Sequence, residues 1–139
     1  MSKRKAMQSL ANLEKALDRL DEALKEDEKN SLYIDGTIQR FEFSLELYWK
    51  ALKRLLAEEG IETKTPRETL KQAYKVDWID NEPAWLQMLR DRNETSHAYD
   101  EEKAKCIYEN IMDYFPEMKK TYTYLKFKFE KEWGDSLDD

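Results

Sequence analysis

The chain has 139 residues, 40% of them hydrophobic and 39% charged, with three glycines and three prolines. That composition predicts one domain of long helices rather than a turn-rich β fold, large enough to bury a core without metal or disulfide help. A formal net charge of −6 argues against broad, charge-driven nucleic-acid binding and leads us to expect no DNA partner, while leaving room for a small local site.

The single Cys106 cannot form an intrachain disulfide, and no metal-ligand spacing surrounds it. The expectation is a reducing, cytoplasmic setting with no metal and no cofactor, and with Cys106 as a packed helix residue. The basic start, Met1-Ser2-Lys3-Arg4-Lys5, lacks the apolar segment a signal peptide requires, and no run reaches membrane-spanning length.

Leu10, Leu13, Leu17, Leu20 and Leu24 recur at spacings of three and four. They predict a first helix from near Ser9 or earlier to about Asp27, with a narrow stripe of the kind that builds bundles. After the polar break Asp27-Glu28-Lys29-Asn30-Ser31, Asp35 is the expected N-cap of a second helix. That helix carries Ile38, Phe41, Leu45, Tyr48 or Trp49, Leu52 and Leu55 or Leu56, and stops at Gly60 with a left-handed cap. It is expected to pack antiparallel to the first.

Thr65-Pro66-Arg67-Glu68 combines an N-cap, a first-turn proline and a capping-box glutamate, so a short third helix with Leu70, Ala73 and Tyr74 should begin there. Its Arg67, Lys71 and Lys75 stand at four-residue steps as a positive ridge. This is either a solvated face or a surface for phosphate or an acidic partner. Asn81 can cap a fourth helix, with Glu82 and Pro83 in its first turn. Asp100 then caps a fifth, favoured by Glu101 and Glu102 and carrying Ala104, Ile107, Tyr108 and Ile111, before Pro116 divides it from the terminal segment. Thr121-Tyr122-Thr123-Tyr124 alternates like a strand, but Met118, Tyr122, Leu125, Phe129 and Trp133 keep helical spacing, which predicts a sixth helix. The expected architecture is an all-α, antiparallel up-and-down bundle of five to six helices spanning residues 1–134, with 135–139 as a frayed acidic tail.

The fourth helix carries the stretch that breaks pattern. Trp85, Leu86 and Leu89 set an apolar face, yet four-residue steps from Leu89 reach Asn93 and then His97, the chain's only histidine. Local rules that fail while their surroundings hold mark functional sites. Arg92 and His97 would lie about 140° apart on one straight helix. They can cooperate only if the helix ends between them or a second chain supplies the missing partner. Each has a plainer reading: His97 as a satisfied structural side chain, Arg92 as the partner of Asp100 or a glutamate, and Tyr99 as a packed ring.

Arg92, four residues, His97, one residue and Tyr99 together resemble the Arg-x4-His-x-Tyr signature of HEPN proteins, the higher-eukaryote and prokaryote nucleotide-binding helical family. The polar Asn93 after Arg92, and Ser96-His97-Ala98-Tyr99-Asp100-Glu101 followed by Ala104, look like the branch of nucleotidyltransferase substrate-binding proteins and the related HepT-type toxins. The resemblance covers nearly the whole chain. It implies a bundle of about five helices that forms a homodimer, with the two motifs near one another at a cleft. It also implies a separate minimal nucleotidyltransferase as partner; this chain lacks the Gly-Ser and Asp-x-Asp elements of such an enzyme. In the family's metal-independent ribonucleases, the residue matching His97 handles a proton. The residue matching Arg92 holds the phosphate, and Asn93 would orient either group. In HepT-type pairs the tyrosine matching Tyr99 accepts adenylyl groups. Nucleotide or RNA is the ligand implied.

Overall fold

In a computed structural model that describes residues 2–26, 30–97 and 99–134, the leucine stripe of the first helix is the wall on which the rest is built. Leu10, Leu13, Leu17 and Leu20 of α1 (Lys3–Leu24) are buried. They face Phe41, Leu45, Tyr48, Leu52, Leu55 and Leu56 of α2 (Ser31–Glu58). The pair is antiparallel: Arg54 near the end of α2 donates to Ser9 near the start of α1, while Arg40 reaches the Arg19 carbonyl (2.6 Å) near the α1 end. Between Tyr48 and Trp49, Tyr48 takes the core position, its hydroxyl donating to the Met118 carbonyl (2.8 Å).

The start of α2 differs from expectation. Asn30, not Asp35, is its N-cap, accepting from the Tyr33 amide (3.1 Å), and Asp35 lies inside the helix. The extra turn brings Ile34 against the core, and that burial favours the earlier start. The end of α2 is as expected. Gly60 has φ +83°, its amide donates to the Ala57 carbonyl, and the Ile61 amide reaches back to Leu56, the paired bonds of a Schellman motif.

Thr65 caps α3 (Pro66–Lys75), accepting from the Glu68 amide, and Glu68 returns a carboxylate to the amide of Lys64, one residue earlier than in a standard capping box. At its end Asp77 adopts φ +65° while the Asp77 and Trp78 amides bond to the Tyr74 and Ala73 carbonyls. This is a second Schellman motif, with a non-glycine residue in the left-handed position. Trp78 and Ile79 are thereby turned into the core, Trp78 edge-on to Phe129 (5.2 Å between centroids).

Asn81 caps α4 (Glu82–Asn93), accepting from the Ala84 amide. A single 3-10 turn (Thr95–His97) follows, and Asp100 caps α5 (Glu101–Trp133), accepting from the Glu102 and Lys103 amides. The expected separate fifth and sixth helices are one continuous helix. Pro116 sits inside it on the exposed side, so the loss of one backbone bond falls next to solvent, where it is least costly. Ile111, Tyr114, Met118, Tyr122, Leu125, Phe129 and Trp133 stay buried in register across the proline, and that continuous burial carries the helix through. Cys106 belongs to α5 but is exposed, because Ala104, Ile107 and Tyr108 take the inward side. The expected ends at Asp27 and at 135–139 lie outside the described residues.

The bundle is all-α, with five α-helices and no strand among the described residues. Because a left-handed backbone costs an L-residue about 1 kcal/mol, Asp77→Gly should raise stability by up to about that amount; equilibrium urea unfolding of the two proteins checks it.

Candidate functional site

The buried line of α4 runs through Trp85 and Met88 to Asp91, with Leu86 and Leu89 only partly covered. Asn93 and His97 therefore do not extend the core stripe as the spacing suggested; both are exposed. Asp91 instead takes the inner place and is 8% exposed. It is met there by neutral donors: the Tyr114 hydroxyl (2.6 Å) and the Asn110 amide (3.0 Å) on one oxygen, and Gln87 (3.3 Å) on the other. Burial, followed by the bond to Asp91 and its charge, pushes the Tyr114 phenol well above its ordinary value. A buried carboxylate is tolerated only with such a set of partners, so the last turn of α4 is pinned to α5.

The helix then ends between the two motif residues. The Glu94 amide bonds to the Arg90 and Asp91 carbonyls, Thr95 Oγ1 donates to the Arg92 carbonyl (2.8 Å), and the His97 amide donates to Glu94 (2.9 Å). Lys103 in the first turn of α5 bridges to Glu94 (2.8 Å), closing the segment from outside. The Lys103 hydrogen bond and charge hold the Glu94 carboxyl below its ordinary value.

The side chains of the motif turn to different neighbours. Arg92 is half-buried and donates through Nη2 to Glu46 of α2 and through Nη1 to Asn93 Oδ1 (3.4 Å). Glu46 also accepts from Trp49 Nε1 (3.1 Å) and pairs with Lys50 (3.3 Å). Partial burial pushes the Glu46 carboxyl up, but the Trp49 and Lys50 bonds and the Arg92 charge outweigh this and hold it below 4.5. Pairing with a glutamate was one of the plainer readings of Arg92. His97 is exposed; its ring lies 6.1 Å from that of Tyr99, edge to face, and makes no hydrogen bond among the described residues. Tyr99 is 84% exposed, so it does not pack. Two shallow hollows meet at it, one bordered by Ser31, Ile34 and Lys105, the other by Ile38, Glu42 and Thr95. No cluster of His, Cys, Asp and Glu able to hold a metal occurs among the described residues.

Sequence reasoning missed Glu46 and Asp91. Glu46 follows Leu45 on a stripe whose charged neighbours are mostly solvated, and only the approach of α4 to α2 singles it out. Asp91 had a detectable signal, a carboxylate three residues after the apolar Met88 on the inward side.

The family model described as "Nucleotidyltransferase substrate binding protein like" matches residues 8–127, most of the chain. The chain belongs to this family. The HEPN resemblance drawn from the motif thus holds, as does its helical fold. A Thermus thermophilus protein of known structure is 33% identical, superposes with a TM-score of 0.78, and the match covers 82% of this chain and 98% of that one. A Haemophilus influenzae structure, described as revealing the fold of a substrate binding domain of a nucleotidyltransferase, is 28% identical with a TM-score of 0.64, covering 93% and 99%. The Haemophilus influenzae protein named "Probable ribonuclease HepT" is 37% identical over 89 residues, which are 60% of this chain and 61% of that protein. The chain thus matches under two thirds of that relative's length. Among the described residues no helix is long and apolar enough to cross a membrane.

The Glu46 pKa is lowered in the fold, so its pair contributes stability fully above the ordinary glutamate value of 4.5 and loses it as the pH falls through the lowered one. Glu46→Gln should therefore cost up to about 1 kcal/mol near neutrality, and the gap to the parent protein should narrow when the pH is taken well below 4.5. Urea unfolding of both proteins at the two pH values measures this.

Proposed function

We propose that this chain is the HEPN-type, homodimeric partner subunit of a separate minimal nucleotidyltransferase in a toxin–antitoxin-like pair, working in the cytoplasm, and that Tyr99 is the group it presents for adenylylation. The observation that carries the reading is the placement of Tyr99 in a chain of this family: a phenol 84% exposed, on the turn that joins the 3-10 segment to α5, beside the ring of His97. A transferase needs an acceptor oxygen it can surround; Tyr48, Tyr108, Tyr114 and Tyr122 are buried, and Tyr74 and Tyr124, each 44% exposed, stand out only about half as far as Tyr99. In the transfer, the Tyr99 oxygen attacks the α-phosphorus of ATP and its proton leaves to a base. The bond from phosphorus to the bridging oxygen breaks, and pyrophosphate departs. The product carries a bulky anion next to the Arg92 and His97 turn. It would compete with an incoming phosphate for those residues.

A second reading is supported by His97, whose exposed ring makes no hydrogen bond among the described residues. In a metal-independent endoribonuclease, His97 accepts the proton of an RNA 2′-hydroxyl as that oxygen attacks the adjacent phosphorus. The bond to the 5′ oxygen breaks and that oxygen takes a proton from water, leaving a cyclic phosphate and a 5′-hydroxyl. Arg92 offsets the charge gathering on the phosphoryl oxygens, and Asn93 steadies the guanidinium. The two readings are compatible, since modification of Tyr99 is a means of silencing such an enzyme.

Mixed with the nucleotidyltransferase and ATP, the wild-type chain should form a complex and gain the mass of AMP, while Tyr99→Phe should bind the transferase but gain nothing. Absence of both the complex and the modification would remove the partner reading. For the second reading, wild type should cut RNA in EDTA, and Arg92→Ala and His97→Ala should each slow cutting on the order of a hundredfold or more. Equal rates for all three proteins would remove catalysis.

A further inference from the structure

The positive ridge on α3 is left unused by the site just described. We infer that the outer face of α3 is a docking surface for the phosphate backbone of a single-stranded nucleic acid. This goes beyond the proposed function, since it draws on neither Arg92, His97 nor Tyr99.

Three observations meet on that face. The first is that its cations are uncommitted. Arg67, Lys71 and Lys75 are exposed and form no ion pair among the described residues. Four of the seven lysines of α5, Lys103, Lys120, Lys126 and Lys128, are by contrast each tied to a carboxylate. A lysine already paired gains little from a phosphate, whereas a free one releases counterions on binding.

The second is spacing. Four helical residues rise about 6 Å, so the three charges form a ladder with steps comparable to one nucleotide of an extended strand.

The third is an aromatic ring in the right place. Tyr74 follows Lys71 by three residues, hence on the same face, and is 44% exposed. It borders the same concave surface as Arg67, Lys71, Gln72 and Lys75. A cationic track with a ring on which a base can stack is how proteins hold single strands without reading sequence.

Two carboxylates, Glu68 and Glu82, also border the concavity. Glu68 is turned back to accept from the Lys64 amide (3.1 Å) at the helix start, away from the three-step ladder. The lining thus carries three cations against these two carboxylates, in a chain whose total charge is −6. That local reversal of sign favours a polyanion. An acidic protein surface would satisfy the charges but gives the Tyr74 ring and the regular step no particular use.

The test is fluorescence anisotropy with a labelled single-stranded RNA of about 12 nucleotides, using the full chain carrying His97→Ala so that cleavage cannot interfere. The parent should bind at low salt. The triple variant Arg67→Gln, Lys71→Gln, Lys75→Gln should bind at least tenfold more weakly, with the slope of log affinity against log salt reduced by about two. Tyr74→Ala should weaken binding about fivefold or more and leave the slope unchanged. Should the triple variant fail to fold, Lys71→Gln alone decides, through a slope reduced by about 0.7. No binding by the parent, or equal affinity and slope in the variants, would overturn the inference. So would a triple variant that keeps RNA but loses the nucleotidyltransferase, which would make the ridge a protein-binding face. None of these results bears on cleavage or on modification of Tyr99.

Discussion

The buried carboxylate of Asp91 is the constraint on which the motif region depends. An ion 8% exposed is stable inside a protein only while its oxygens are occupied, and here Tyr114 and Asn110 of α5, with Gln87 of its own helix, occupy them. Rotation or sliding of α4 against α5 would break these bonds together. The last turn of α4 therefore has one orientation, and Arg92, the next residue, has one direction in which to leave the helix. That direction leads to Glu46 on α2, so three helices meet at the motif.

The electrostatics of the region are uneven as a result. Arg92 is occupied by a carboxylate that its own charge and the neighbours Trp49 and Lys50 keep ionised. A phosphate that is to use the guanidinium must share its fork with Glu46 or displace it. His97 and Tyr99 lie beyond the helix end, on a turn held by backbone bonds and by the exposed Glu94 and Lys103 bridge, and they face solvent. One half of the motif is tied into the bundle and the other half is open, an arrangement suited to groups that meet a ligand or a partner from outside.

The strengths and failures of the sequence reading share a cause. Periodicity located every helix because inward residues must recur at helical spacing wherever a face is buried, and the caps at Thr65, Asn81 and Asp100 were legible because capping is a local hydrogen bond. Boundaries failed where tertiary burial outweighed a local preference. Pro116 reads as a stop, yet the core contacts of Tyr114 and Met118 on either side of it hold α5 in one piece. Asp35 is a good cap in isolation, but burial of Ile34 moved the start of α2 to Ser31.

For the motif, the chain by itself carried a resemblance to the family and pointed to the residues in question, and helix geometry supplied the rule that Arg92 and His97 cannot share a face of one straight helix. The tertiary structure decided the rest. It ended the helix at Asn93, gave Arg92 to a glutamate 46 positions earlier in sequence, put Asp91 rather than Asn93 at the core, and left Tyr99 in the open. These outcomes depend on which distant segments touch, and a spacing pattern along one helix carries no record of what packs across it.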